Sequence, residues 1–215
     1  MLSPLYPILD IDLLTARSLD LASIAAAWQA PGVTLVQYRN KLGNAREMLR
    51  DAATIREIFP INSGVRLIFN DRSDLALLAG FDGVHVGQGD ISAEDARSIV
   101  GATRRVGVST NSAEQVRQAD LTSCDYIAYG PIFPTASKAN PDPIVGLAGL
   151  RVARSLTSKP LVAIGGITRK NCRSVIDSGA DSLAVISDLL PDKNHRETDG
   201  KTARQIVEEF LAILV

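Results

Sequence analysis

The sequence predicts an α/β protein, a single (β/α)8 TIM barrel spanning residues 1–215. Three observations carry that prediction. Eight short apolar runs are spread along the whole chain, amphipathic segments of helical period lie between them, and the unusual polar residues gather just after the runs.

The runs occupy residues 5–9, 33–38, 66–69, 83–86, 105–108, 126–129, 160–164 and 182–186. Most place apolar residues at successive positions, as strands do when both of their faces are covered. Between them, Ala45, Met48, Leu49, Ala52, Ile55 and Phe59 form one stripe at helical spacing. Ala203, Ile206, Val207, Phe210, Leu211 and Leu214 form a cleaner one near the C-terminus. Ser112 with Gln115, and Thr202 with Gln205, have the spacing of a capping box, in which each partner satisfies an orphaned backbone N–H of the other. Gly80-Phe81-Asp82-Gly83 and Gly179-Ala180-Asp181-Ser182 each stop a helix on glycine and lead into an apolar run. No linker or break in composition divides the chain, which reads as one domain. A doubly wound open sheet has the same local pattern. The placement of the polar residues favours the barrel, where function collects on the loops that follow the strands.

Composition narrows the function before any motif is read. Lys plus Arg number 23 against 24 Asp plus Glu, so the basic surplus that nucleic-acid binding requires is missing. Hydrophobic residues make up 46%, enough for a sizeable core and too many for a disordered chain. No basic residue precedes Arg17 and no long apolar run opens the chain, so a secretory signal is not read there. No run of about 18 apolar residues offers a membrane span. Cys124 and Cys172 are too few for a disulfide framework or a zinc cage, and read as buried, reduced thiols of a cytoplasmic protein. The partners expected are small molecules, with no nucleic acid and no membrane. Assembly into a homo-oligomer is left open.

The polar residues follow the runs in order. Gln37-Tyr38-Arg39-Asn40-Lys41 follows the second, Asn70-Asp71-Arg72 the third and Gly87-Gln88-Gly89-Asp90 the fourth. Ser109 ends the fifth, Gly130-Pro131-Ile132-Phe133-Pro134-Thr135-Ala136-Ser137-Lys138 follows the sixth, Gly165-Gly166 the seventh and Ile186-Ser187 the eighth. Asp71 and Asp90 sit on consecutive loops, near Arg39, Lys41 and Lys138. Such a set suits Mg²⁺ shared with a ligand diphosphate, because Mg²⁺ takes one or two carboxylates and completes its shell with phosphate oxygens and water. Either aspartate alone reads as well as a cap for a helix beginning near Ser73 or Ser92; their convergence with three cations favours the metal. Gly165-Gly166-Ile167-Thr168 before a helix has the form of a phosphate cradle, and the loops after strands seven and eight are the common barrel phosphate site. A plain tight turn is the alternative. Gly87-Gln88-Gly89-Asp90-Ile91-Ser92 imitates a dinucleotide fingerprint but lacks its third glycine and its later acidic residue. His85 reads as a packed barrel residue more readily than as a base, and His195 as solvated loop. No Ser-His-Asp or Cys-His set can be assembled.

Taken together, Val36-Gln37-Tyr38-Arg39-Asn40-Lys41, Phe69-Asn70-Asp71-Arg72, Gly83-Val84-His85-Val86-Gly87-Gln88-Gly89-Asp90, Gly130-Pro131-Ile132-Phe133-Pro134-Thr135 with Lys138, and Ala163-Ile164-Gly165-Gly166-Ile167 resemble the thiamine phosphate synthase family, in order and over nearly the whole chain. The resemblance implies a transferase of thiamine biosynthesis. It would condense 4-amino-2-methyl-5-(diphosphooxymethyl)pyrimidine with 4-methyl-5-(2-phosphooxyethyl)thiazole, giving thiamine phosphate and diphosphate by a Mg²⁺-dependent, dissociative substitution. It also implies roles. Gln37, Tyr38, Arg39, Asn40, Lys41 and Asn70 would hold the pyrimidine diphosphate, and Asp71 and Asp90 would ligate Mg²⁺. Ser109 and Lys138 would contact the diphosphate or the pyrimidine, and Arg39, Lys41, Ser109 and Lys138 would form the catalytic set. Thr135, Ala136, Ser137, Gly166, Ile186 and Ser187 would hold the thiazole phosphate. Ser137 stands where a threonine is expected, and Thr110-Asn111 differs from many relatives. A related thiazole tautomerase carries histidine after the serine of strand five, where this chain has Thr110. A phospholigand sensor on the same barrel would have no need of Asp71, Asp90 and Lys138. Finally, residues 131–145 form a long connection holding Pro131, Pro134, Pro141 and Pro143, which we expect to act as a lid over the site.

Overall fold

Eight parallel strands close on themselves in chain order. They are β1 (Leu5–Asp10), β2 (Leu35–Arg39), β3 (Arg66–Asn70), β4 (Gly83–Val86), β5 (Arg105–Thr110), β6 (Tyr126–Tyr129), β7 (Leu161–Ile164) and β8 (Ser182–Val185). The computed structural model describes residues 2–30, 32–135, 142–191 and 202–214. Closure is made by β1 against β8, with Leu5 opposite Leu183 and Pro7 opposite Val185. That pairing excludes the open sheet, whose edge strands would have no such partner. Ala136, Ser137, Lys138 and His195 lie outside the described residues, as does the middle of the expected 131–145 lid, residues 136–141.

The helices of the described residues are α1 (Ile11–Ala16), α2 (Leu21–Ala27), α3 (Ala45–Ile58), α4 (Ser73–Leu78), α5 (Ala93–Val100), α6 (Ala113–Asp120), α7 (Gly146–Ser155), α8 (Cys172–Ile176) and α9 (Ala203–Leu214). One helix per strand was expected, but two short ones separate β1 from β2. Each has its own aspartate cap: Asp10 accepts from the Leu13 N–H and Asp20 from that of Ser23. In α3, Met48, Ala52 and Ile55 are buried as the stripe predicts, whereas Ala45 is exposed and Leu49 half-buried. A full capping box, Asn44 with Glu47, starts that helix. Thr202 and Gln205 form theirs reciprocally, with backbone bonds of 2.8 and 3.3 Å. Ser112 caps the Gln115 N–H, but Gln115 returns its bond to Asn111 instead.

Alternation along the strands sorts the core into two. Tyr6, Ile8, Leu35, Ile68, Tyr126, Ala128, Val162 and Ala184 pack together inside the barrel. Leu5, Leu9, Val36, Phe69, Val84 and Ile127, one position out of step, pack under the helices with Trp28, Phe59 and Phe210. Cys124 and Cys172 are buried and unpaired. Among the described residues, no helix is long and apolar enough to cross a membrane.

The N-terminal face of the barrel carries one device three times. The Asp82 N–H donates to the Leu67 carbonyl at 2.8 Å while its carboxylate accepts from the Leu67 N–H at 2.8 Å. Asp125 makes the same double bond to Val106, and Asp181 to Leu161. An arginine on the helix before the bonded strand closes each set: Arg56 on Asp82, Arg97 on Asp125 and Arg154 on Asp181. The unit recurs every second strand, tying β3 to the start of β4, β5 to that of β6, and β7 to that of β8. Each carboxylate satisfies a backbone donor as well as a guanidinium, so its removal costs more than an exposed ion pair does. Asp125→Ala should lower stability by about 2 kcal/mol in urea unfolding, whereas Asp74→Ala, which breaks an exposed pair with Arg72 in the first turn of α4, should change it by less than about 1 kcal/mol. Equal effects would mean that the aspartate clamps do not hold the strand ends.

Candidate active site

At the opposite, C-terminal end of the strands the barrel opens into a cavity of about 240 Å³. Its floor and walls come from inward positions of every strand. Tyr6, Ile8, Gln37, Asn70, His85, Ser109, Ala128, Val162, Ile164 and Ala184 line it, with Lys41, Asp71, Gly87, Gln88 and Asp90 on one rim and Thr135, Gly166, Ile186 and Ser187 on another. Arg39, Thr110, Asn111 and Asp142 also face it. Gln37, Arg39, Lys41, Asn70, Asp71, Asp90, Ser109, Thr135, Gly166, Ile186 and Ser187 are therefore brought to one space.

Tyr38 and Asn40 are not. A residue between two inward positions on a strand must point outward, and Tyr38 does so. Its ring lies edge-on to Phe69 at 5.0 Å, and its hydroxyl donates to Asp51 of α3 at 2.9 Å. Asn40 serves the turn after β2, accepting from the Gly43 N–H at 2.7 Å and donating to the Tyr38 hydroxyl at 3.2 Å. Both were expected to hold ligand with Gln37, Arg39 and Lys41, and the structure does not bring them to the cavity.

The cations at the mouth are neutralised in place. Arg39 is paired with Asp10 and Lys41 with Asp71. Asp10 was missed because the first strand was read as ending at Leu9; it extends to Asp10, whose carboxylate also caps α1. Position at a strand's C-terminal end was the signal that would have found it. Neither Asp71 nor Asp90 caps a helix. Asp71 holds a left-handed backbone at φ 63°, its N–H donating to the His85 carbonyl at 2.7 Å. Asp90 turns back to accept from the Gly87 N–H at 2.7 Å, and Ser92 caps α5. The two carboxylates face each other closely enough to interact. Burial, chiefly, raises the Asp71 carboxyl above its ordinary range; Lys41 opposes that shift and Asp90 adds to it.

On the other rim, Gly166 holds φ 63°, and a Cβ there would lie 2.5 Å from the Pro134 carbonyl and 2.7 Å from Phe133 Cβ. Only glycine fits. Among the described residues, the N–H groups of Gly166 and Ser187 have no acceptor. The expected help from a helix N-terminus is absent, since the next helix is the five-residue α8, which begins only at Cys172. The donors available to an anion here are loop amides.

The deep floor joins His85, packed in the barrel as expected, to two tyrosines that no motif of the sequence singles out. Tyr6, Tyr126 and His85 form a buried polar stack beneath Ser109, with His85 Nε2 2.8 Å from Ser109 Oγ. Their spacing in apolar runs carries no hint that they meet.

The fold and this mouth define the class: a (β/α)8-barrel enzyme that acts on small molecules, with its chemistry on the loops after the strands. Residues 5–189 match the family model described as thiamine monophosphate synthase, and the chain belongs to that family. A thiamine-phosphate synthase of Koribacter versatilis is 54% identical over 212 residues, 98% of this chain and 95% of that one. One from Chlorobium phaeovibrioides is 38% identical over 211 residues, 98% of this chain and all of the other. The thiamine phosphate pyrophosphorylase from Pyrococcus furiosus superposes with a TM-score of 0.80 at 29% identity, covering 99% of this chain and 98% of that one. These relatives make the chain a transferase.

The raised Asp71 carboxyl has a measurable consequence. A fold that favours the neutral acid gains stability at low pH and loses it as pH rises through the raised value. In metal-free buffer, wild type should therefore lose stability relative to Asp71→Asn as pH climbs from about 4 to 7. Urea unfolding of both proteins in EDTA measures the difference. An opposite slope would mean that the Lys41 pair outweighs burial.

Proposed function

We propose that this cavity condenses a hydroxymethylpyrimidine diphosphate with a thiazole phosphate, releasing diphosphate, with Mg²⁺ required. The observation that carries the reading is the meeting, in one space, of the adjacent carboxylates Asp71 and Asp90, the cations Arg39 and Lys41, and the amides of Gly166 and Ser187, which have no acceptor among the described residues. The names of the relatives support it.

The donor set suits the metal. Among the described residues, no group of three or more His, Cys, Asp and Glu side chains gathers for an ion; two carboxylates are what Mg²⁺ takes when phosphate oxygens and water complete its shell. Held by Asp71 and Asp90, Mg²⁺ would neutralise charge on the leaving diphosphate. The rest falls to the side chains. Breaking the carbon–oxygen bond leaves a cation stabilised by the pyrimidine ring, and Arg39 and Lys41 favour that step by facing the anion that departs. Lys138 joins them in this reading. Gln37 and Asn70 orient the pyrimidine and Ser109 meets it from the floor. The amides of Gly166 and Ser187, with Thr135, hold the thiazole phosphate so that the ring nitrogen lies beside the electrophilic carbon. The nitrogen attacks with its own lone pair, and no strong protein base is needed. Buried, unpaired Cys124 and Cys172 support a reducing, cytoplasmic setting.

Release of diphosphate from the two substrates together, and from neither alone, is the direct test. Asp71→Asn and Asp90→Asn should each cost at least about a hundredfold in kcat with the fold intact, a loss of transition-state charge stabilisation. Full turnover in EDTA-treated protein without divalent ions would sink the metal assignment. Gly166→Ala must push aside the loop at Phe133 and Pro134. It should raise KM for the thiazole phosphate about tenfold and that for the pyrimidine diphosphate less than about twofold. Equal increases would assign the glycine to the turn alone.

A further inference from the structure

We propose that a chain of hydrogen bonds through the barrel interior, from Gln37 by way of Tyr6, Tyr126 and His85, sets Ser109 to donate its hydroxyl proton into the cavity, with Tyr6 and Tyr126 as positioning residues. The substrate atom facing Ser109 is then an acceptor: a pyrimidine ring nitrogen or a diphosphate oxygen. This deepens the reading of Ser109 as a substrate-binding residue and rests on it.

The links are short and continuous. Gln37 Nε2 donates to the Tyr6 hydroxyl at 2.9 Å, and that hydroxyl lies 2.9 Å from the Tyr126 hydroxyl. The Tyr126 hydroxyl lies 3.1 Å from His85 Nδ1, and His85 Nε2 lies 2.8 Å from Ser109 Oγ. An amide nitrogen can only donate, so the first bond has a direction. Tyr6 accepts it and has one proton, which goes to Tyr126. Tyr126 in turn passes its proton to Nδ1. An accepting Nδ1 leaves the imidazole proton on Nε2, and that proton goes to Ser109 Oγ. The hydroxyl proton of Ser109 is left for the cavity. With Gln37 donating, a reversed order would strand the Tyr6 proton in the fully buried interior, where an unmade bond is expensive. Burial pushes both phenols up, so each keeps its proton.

The backbone is fitted to this stack. The imidazole of His85 and the ring of Tyr126 lie 5.5 Å apart and 24° from parallel. Gly107 is what makes room: a Cβ there would sit 2.1 Å from Tyr126 Cζ and 2.5 Å from His85 Nδ1.

The experiment reads the tautomer directly. The sequence has two histidines, so His195→Gln leaves His85 as the sole imidazole signal in ¹⁵N-labelled full-length protein. Long-range ¹H–¹⁵N spectra of the neutral ring should place the proton on Nε2, and Tyr126→Phe should bring in the Nδ1–H form. A ring protonated on Nδ1 with Tyr126 intact would overturn the proposal. In kinetics, Tyr126→Phe and Tyr6→Phe should each lower kcat/KM about tenfold with Ser109 present, and less than about twofold on a Ser109→Ala background. The same factor in both backgrounds would mean a merely structural role and would also overturn it. If Tyr126→Phe fails to fold, the tautomer of the parent protein and the Tyr6→Phe cycle decide. A protein with the Nε2–H ring but no diphosphate release would refute the proposed reaction and leave the chain standing.

Discussion

Closure of the eight-stranded barrel is the constraint on which everything else depends. Once β1 pairs with β8, no strand has a free edge, and every residue must point either into the barrel or under the helices. Two apolar cores result, one step out of register. Above the inner core the inward positions turn polar, from Gln37 and Arg39 to Asn70, His85 and Ser109. They meet because a closed ring leaves their side chains no other direction.

The ends of the strands divide the labour. At the N-terminal end, Asp82, Asp125 and Asp181 tie neighbouring strands together through backbone and arginine at once. Those carboxylates are fully used and serve stability. At the C-terminal end, Asp71 and Asp90 crowd each other, and Asp71 sits at a positive φ that costs roughly 1 kcal/mol for a residue other than glycine. The mouth thus holds backbone strain and like charge side by side.

Neutralisation at the mouth is local and polar throughout. Arg39 rests on Asp10 and Lys41 on Asp71, so both of these cations are paired within the protein. Beneath them, the Gln37–Tyr6–Tyr126–His85–Ser109 chain carries polar groups through the interior without leaving one of them orphaned, and it links the floor to the reacting space.

Sequence by itself determined the number and order of the strands, because fully covered strands and amphipathic helices leave local patterns of different period. All eight runs match their strands to within two residues at each end; the fifth, read to Val108, continues to Thr110. It also pointed to Asp71, Asp90, Lys41, Ser109 and Gly166, since position after a strand is itself local information. Tertiary structure alone decided the rest. Tyr38 and Asn40 stand in the same motif as Gln37 and Lys41, yet alternation turns Tyr38 under α3 and the turn claims Asn40. Asp10 became visible only as the partner of Arg39, 29 residues away. Tyr6 and Tyr126 are separated by 120 residues and share a hydrogen bond. A partnership over that distance is set by barrel closure and stagger, which depend on all eight strands at once and leave no trace in any one of them.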